Sequence, residues 1–257
     1  MGGALGLERP VRVFACDVDG CLAEAGHADY DLAALARLAE LNRLSARDET
    51  VPALTFVTGR PHAYVDALSQ ALAVRLPMSF ENGAGLATRH PYRYWLDPRV
   101  EAGLPALRRF AAAVEETGHL TLQPGKVASL SVFPRPAGRD VHDLADELAG
   151  MVERLGLGLA LDPSTDCVNV LVPGVEKATG FAWLCREMGL APDEVAGVGD
   201  SVGDVAWLEL CGVSFAPANA VDEVKGVATA VSSRRDVSAV VEAYEALVEH
   251  NRRLAGE

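Results

Sequence analysis

Along this chain apolar residues gather in short unbroken runs that end in acidic or glycine-bearing loops, and between those runs they recur every three to four positions. Residues 12–18 form one such run, closing on Asp17, Asp19 and Gly20, the pattern of a buried parallel strand whose carboxyl end opens into a loop. The period then changes: Leu32, Leu35, Leu38, Leu41 and Leu44 recur at helical spacing with Arg37, Glu40 and Arg43 between them, which predicts an amphipathic helix over 31–44. Residues 53–57 read as a second buried strand, Thr58-Gly59-Arg60 as a loop, and Pro61 stands where the first turn of a helix tolerates it. Strand, helix, strand, helix implies a parallel sheet. Right-handed crossovers make a doubly wound, Rossmann-like α/β domain the expected product.

The same alternation returns late in the chain: helix over 178–188, strand over 194–198, helix over 204–211, short strands at 213–216 and 227–231, and a closing helix over 236–254. The middle has another texture. Strands are predicted at 92–96, 127–133, 158–161 and 167–172, with helices at 100–116 and 141–155. The alternation of Ser129, Leu130, Ser131 and Val132 suits an antiparallel sheet with one solvent-facing side. The expected organisation is a discontinuous core, 1–83 and 174–257, interrupted by an inserted α+β cap domain at 84–173, with Gly83, Gly85 and Gly174 as candidate hinges.

Composition narrows the class. With 257 residues, 49% hydrophobic and 23% charged, the chain carries enough apolar mass for one large or two modest cores, which excludes a disordered or disulfide-stapled peptide. A formal net charge of -13 opposes association with phosphate backbones, so no nucleic-acid partner is expected. No apolar run approaches the roughly 18 residues of a membrane helix, and residues 1–10 lack the basic start and long apolar stretch of a signal peptide. The expectation is a cytoplasmic protein, monomeric or homodimeric, with no membrane partner. Five scattered cysteines without a CxxC pair read as reduced thiols, and Cys16 and Cys21 have no histidine at zinc spacing. His27, His62, His90, His119, His142 and His250 form no metal spacing and are expected at the surface, whereas Trp95, Trp183 and Trp207 fall in apolar stretches and are expected to pack.

Candidate chemistry sits where predicted strands end. Asp17-Val18-Asp19-Gly20 and Gly199-Asp200-Ser201-Val202-Gly203-Asp204 both follow buried strands, at the sheet edge where ligand crevices form. Any one of these aspartates alone is more often a solvated turn or a helix cap, and two clusters at equivalent strand ends shift that balance. If the two strand ends meet, up to four carboxylates surround one position, and an oxygen-only donor set there favours Mg²⁺ over zinc. Thr58 and Gly59 offer a hydroxyl and accessible N–H groups ahead of a helix, a geometry that binds anions. Lys177 opens a helix whose dipole opposes a cation, so it is either a surface lysine or a residue placed for a ligand.

In order, DVDG at Asp17 to Gly20, TGR at Thr58 to Arg60, Lys177, and GDSVGD at Gly199 to Asp204 resemble the motifs of the haloacid dehalogenase (HAD) superfamily of phosphatases. Glu81-Asn82-Gly83-Ala84 and Pro173-Gly174-Val175-Glu176-Lys177 resemble the elements that flank the inserted α/β cap in its Cof-type branch. That branch includes archaeal-type phosphoglycolate phosphatases, sucrose-phosphatases and mannosyl-3-phosphoglycerate phosphatases. The resemblance implies a Mg²⁺-dependent phosphatase acting on a small phosphorylated metabolite. Asp17 would be the nucleophile that becomes an aspartyl-phosphate, Asp19 the acid and then the base, and Thr58, Gly59 and Lys177 the groups that hold phosphoryl oxygens. Mg²⁺ would be held by Asp17 and Asp200, by Asp204 directly or through water, and by the Asp19 carbonyl. Arg60, Asn82, Ser201 and the cap residue Lys126 are the candidate substrate contacts. Ser129, Ser131 and Arg135 could also reach substrate, or could belong to a solvated sheet face. Two departures stand out: Cys21 where many relatives carry Thr, and Gly203 where many carry Asn. A phosphomutase, a non-catalytic phosphometabolite sensor and, less well matched in length, a signalling receiver are the alternatives.

Overall fold

In a computed structural model, which describes residues 7–23, 29–135 and 137–256, every strand predicted in the core is present. In chain order the strands are β1 Val13–Cys16, β2 Ala53–Phe56, β3 Met78–Phe80, β4 Gly85–Arg89, β5 Tyr92–Leu96, β6 Leu120–Leu122, β7 Leu130–Pro134, β8 Ala160–Pro163, β9 Val168–Leu171, β10 Val195–Val198, β11 Val213–Ala216 and β12 Ala230–Val231. The helices are α1 Leu32–Leu44, α2 His62–Ala71, α3 Pro98–Glu116, α4 Val141–Arg154, α5 Lys177–Met188, α6 Val205–Leu208, α7 Asp222–Val227 and α8 Asp236–Ala255.

Five parallel strands in the order β12-β11-β10-β1-β2 make the central sheet. β1 lies between β2 and β10, with Cys16 level with Phe56 on one side and Val198 on the other, so three strand ends open at one place. Alternation along β1 explains the double winding. Phe14 and Cys16 face the cluster that includes Leu35, Leu38, Tyr244 and Leu247, while Val13 and Ala15 face Phe181, Leu184 and Trp207. Asp31 caps α1 by accepting from the amides of Ala33 and Ala34, at the boundary its position predicts.

The antiparallel sheet β3-β4-β5 continues the core edge through a bridge between Val57 and Ser79. The hairpin β4-β5 thus falls within residues 84–173 and pairs with a strand that precedes them. A second antiparallel sheet, in the order β6-β7-β9-β8, packs one side on α3 and α4 through Val132, Val168 and Val170 against Phe110, Leu144 and Leu148.

Several local expectations change. Residues 127–129 are not part of β7; they form a loop whose amides turn to a buried glutamate, described below. Val227 ends α7, and only Ala230–Val231 pairs as a strand. The helix expected over 204–211 begins as a 3-10 turn, Val202–Asp204, and its α-helical part is Val205–Leu208. Ser129 and Ser131, for which a solvated sheet face is one of the two expectations, are 1% and 2% exposed: Ser129 bonds to the Glu81 carboxylate, and Ser131 lies between Lys126 and Asn169. His250 is also buried rather than exposed, its ring beside the Arg9 carbonyl. His27 and residues 1–6 lie outside the described residues. No helix among those described is long and apolar enough to cross a membrane.

Candidate active site

Asp17 leaves the end of β1 with its amide bonded to the Val198 carbonyl at 3.0 Å, which extends the β1-β10 ladder and points the loop over the sheet edge. Gly20, at φ +73°, completes the turn. A Cβ there would stand 1.9 Å from Asp200 Oδ2, so only glycine lets the two acidic loops approach. From the helix side, Gly180 of α5 packs so closely on Gly83 that an added Cβ would lie 2.3 Å from its Cα, and this contact seats the helix that carries Lys177.

The lysine is not a surface residue. Its Nζ lies 3.0 Å from Asp17 Oδ2 and 2.7 Å from Asp204 Oδ1, and it is 9% exposed. Asp204 is a hub. Oδ1 accepts from Lys177 and from the Trp207 indole at 2.9 Å, while Oδ2 accepts from the amides of Asp200 at 3.1 Å and Ser201 at 3.0 Å and from the Ser201 hydroxyl at 2.8 Å. Burial opposes its ionisation, yet the Lys177 cation and the donors from Lys177, Trp207 and Ser201 hold its carboxyl below the ordinary range. Asp17 behaves oppositely. Burial, then the charge of Asp204, push it well above the carboxylate range, against the pull of Lys177. Burial and Asp204 also raise Asp200, to about 7.

Two fully buried carboxylate oxygens in this group, Asp17 Oδ1 and Asp200 Oδ1, have no hydrogen-bond partner among the described residues. Asp17, Asp200 and Asp204 offer oxygens that lie within 4.8 Å of one another. An oxygen-only set with unspent buried acceptors fits a hard divalent cation such as Mg²⁺. Because both Asp204 oxygens already accept from protein donors, Asp204 orients the ligand-bearing loop more than it offers a free atom.

Across the cleft, Thr58 is fully buried and its hydroxyl accepts from the Arg60 amide at 3.1 Å. Asn82 lies over Gly59, and its Nδ2 is buried with no acceptor among the described residues. Arg60 forms a two-point ion pair with Asp19, including Nε to Oδ2 at 2.7 Å, and stacks over the Tyr64 ring at 4.7 Å. Ser201 is thus bound to Asp204, and Arg60 to Asp19. Lys126 belongs to the same neighbourhood: the charges acting on it include Glu81, Arg60 and Asp19. Arg135 is exposed and is not drawn into the group.

The departures have a physical reading. Cys21 is fully buried, and burial raises its thiol well above the ordinary value, so it fills space. All five cysteines are unbridged. Gly203 faces open space, the nearest atom to an added Cβ being Ser201 Oγ at 3.9 Å.

Sequence reasoning missed three supporting residues. Trp207 packs on Phe181 as expected but also donates to Asp204. Asn219 Nδ2 donates to the Gly20 carbonyl at 2.8 Å. Glu81, fully buried, gathers the amides of Val127, Ala128 and Ser129 and the Ser129 hydroxyl on its carboxylate. Its signal was present: a glutamate between an apolar strand and Asn82-Gly83, with no cation beside it in sequence.

A family model described as haloacid dehalogenase-like hydrolase matches residues 142–243, which include Lys177, Asp200 and Asp204. A phosphoglycolate phosphatase of Nitrosopumilus maritimus is 28% identical over 239 residues, covering 92% of this chain and 96% of that protein. Among solved structures, Thermoplasma acidophilum 0175 aligns over 93% of this chain and 99% of its own at a TM-score of 0.72 and 19% identity. The sucrose-phosphatase of Synechocystis, solved with sucrose and phosphate, aligns over 93% and 98% at a TM-score of 0.66 and 18% identity.

Proposed function

The chain belongs to the haloacid dehalogenase-like hydrolases and is a phosphatase of their Cof type, and from that premise we propose that it hydrolyses a small phosphomonoester through an aspartyl-phosphate on Asp17. The substrate is a phosphoglycolate- or phosphoglycerate-type acid or a sugar phosphate; the names of a phosphoglycolate phosphatase and a sucrose-phosphatase among the relatives support the first and the last of these. The observation that carries the reading is the Asp17–Lys177–Asp204 arrangement, a buried nucleophile held at Oδ2 by a cation and unbonded at Oδ1.

The residues divide the work. Lys177 favours the ionised form of the nucleophile against burial and the charge of Asp204, and it opposes charge on the phosphoryl oxygens, while Thr58, the Gly59 amide and Asn82 supply donors on the facing side. An Asp17 carboxylate oxygen bonds to phosphorus as the ester P–O bond breaks, and the leaving alcohol takes its proton from the carboxylic acid form of Asp19. Asp19, now a carboxylate, then removes a proton from water, whose oxygen displaces Asp17 and frees phosphate. Arg60 holds the Asp19 carboxylate at the cleft. When bound to Asp17, Asp200 and the Asp19 carbonyl, with Asp204 behind them, Mg²⁺ supplies charge neutralisation for the phosphoryl group. Residues 84–173 act as the substrate-choosing cap over a core formed by 1–83 and 174–257.

The test is phosphate release from phosphoglycolate, sugar phosphates and para-nitrophenyl phosphate with Mg²⁺ or EDTA, by wild type and by Asp17→Asn. Release that requires both Mg²⁺ and Asp17 is expected. Isomerised sugar phosphate without free phosphate would replace the reading with a mutase, and ligand binding without any turnover would replace it with a sensor.

A further inference from the structure

Lys126 carries a charge that the phosphoryl chemistry leaves unused. It is partly buried in the turn before β7, and among the described residues no carboxylate forms an ion pair with it. Its Nζ donates to Ser131 Oγ at 2.6 Å, Ser131 Oγ donates to Asn169 Oδ1 at 2.7 Å, and Asn169 Nδ2 donates to Asp162 Oδ2 at 3.3 Å. These side chains come from residues paired across the cap sheet, Ser131 with Asn169 and Asn169 with Asp162. The relay turns a lone pair of Ser131 toward the ammonium, and among the described residues no other side chain or carbonyl accepts from it. Burial disfavours the lysine's charge, and the acid with the largest compensating influence, Glu81, has its carboxylate occupied by Val127, Ala128 and Ser129. A partly desolvated cation with no ion-pair partner among the described residues gains when a ligand supplies one.

The position of that cation is set from the phosphate side. The Glu81 amide donates to the Arg60 carbonyl at 3.1 Å and the Asn82 amide to the Thr58 carbonyl at 3.0 Å, so the backbone under Glu81 is tied to the phosphate loop. Its carboxylate, at the same time, grips the three residues that follow Lys126. The distance from phosphate loop to ammonium is therefore fixed through one residue, Glu81, whose backbone adopts φ +48° to do so.

We propose that Lys126 is the subsite for a second anionic group, a carboxylate carried on the same small molecule as the phosphate, and that Glu81 is the positioning residue that registers it. This rests on the phosphatase reading and sharpens it, selecting compact phosphorylated hydroxy acids over neutral sugar phosphates. Lys126 binds the carboxylate while Thr58, Asn82 and Lys177 hold the phosphoryl end.

The decisive experiment measures equilibrium binding to Asp17→Asn in Mg²⁺, comparing 2-phosphoglycolate with ethyl phosphate, which has the same length but a methyl in place of the carboxylate. The expected preference for 2-phosphoglycolate is at least tenfold. Lys126→Met or Lys126→Gln in that background brings the ratio to within about threefold of one. Glu81→Gln lowers the same ratio with Lys126 intact, which a general loss of stability would not do, because both ligands are read in one variant. No preference in the parent, or a preference that survives loss of Lys126, overturns the proposal. A preference that depends on Lys126, together with no phosphate release by wild type, would instead sink the phosphatase reading and leave the carboxylate subsite standing.

Discussion

Asp204→Asn separates two roles a buried acid can have, a metal ligand that repels its neighbours or an acceptor that organises them. Five donors converge on its two oxygens. Asparagine keeps the shape but replaces one oxygen with NH₂. Whichever way it turns, it sets a donor against Lys177 and Trp207, or against the amides of Asp200 and Ser201 and the Ser201 hydroxyl. Each buried donor left without an acceptor costs ~1–3 kcal/mol, and Lys177 loses one of the two anions that hold it. A total loss of about 3–5 kcal/mol is expected, a large part of the roughly 5–15 kcal/mol that holds an ordinary domain together. Asp200→Asn should act in the opposite direction when metal is removed. The Asp200 carboxyl is raised from 3.8 to about 7, so its contribution to stability is present below the lower value and is lost as the pH rises through the upper one. At pH 8 the ionised group destabilises the metal-free fold by on the order of 1–3 kcal/mol, after allowance for partial exposure. Urea unfolding in EDTA at pH 8 should rank Asp200→Asn above wild type and wild type above Asp204→Asn, with the Asp200→Asn gain shrinking at pH 5. Asp204→Asn as stable as wild type, or more so, would refute the reasoning and make Asp204 one more repelling ligand.

Gly20→Ala places a Cβ 1.9 Å from Asp200 Oδ2 at a residue with φ +73°, so it should displace Asp200, abolish the thermal stabilisation given by Mg²⁺ and cost about 1–3 kcal/mol; an unchanged Mg²⁺ response would contradict the packing of the two loops. Gly203→Asn has open space around it and should alter stability by no more than ~0.5 kcal/mol, with phosphate release retained; a tenfold fall would show that this position meets the substrate. Arg60→Gln breaks a pair whose side chains are 21% and 37% exposed, so folding should change by no more than ~1 kcal/mol. Its kcat should fall much further for alkyl phosphates than for para-nitrophenyl phosphate, whose leaving group needs no proton from Asp19; equal losses would argue against Arg60 positioning Asp19.

What the sequence revealed divides along a physical line. The runs before Asp17, Thr58 and Asp200 are apolar on both faces, and such strands are legible because parallel sheets bury both sides. Motif order then brought the acidic loops together, and Lys177 is buried between Asp17 and Asp204 rather than lying at the surface. The failures concern what covers a surface. Alternation in Ser129–Val132 identified unlike positions but not what covers the polar ones: Ser129 is taken up by the Glu81 carboxylate, and Ser131 by Lys126 and Asn169. Residues 127–129 looked like the start of a strand because a loop that donates its amides to a distant carboxylate has no periodicity of its own. Glu81 reaches partners 46 to 48 positions away, beyond any local pattern. β3 and β6, at three residues each, are too short for alternation to register.

Val13 pairs with Val195 and Cys16 with Val198, so the strand at the middle of the sheet waits for a partner made long after it. While the chain is being synthesised, the β10-facing edge of β1 stays open until the whole insert and α5 have emerged. Pairings this distant close slowly, and an open apolar edge is a place where nascent chains stick to one another. The acidic groups follow the same timetable. Asp17 arrives with the first arm, Asp200 and Asp204 with the second, and their repulsion is met only when the second arm docks. Lys177 travels on that second arm, just ahead of the charges it neutralises, so the late-arriving piece carries its own counter-charge to the step where like charges meet.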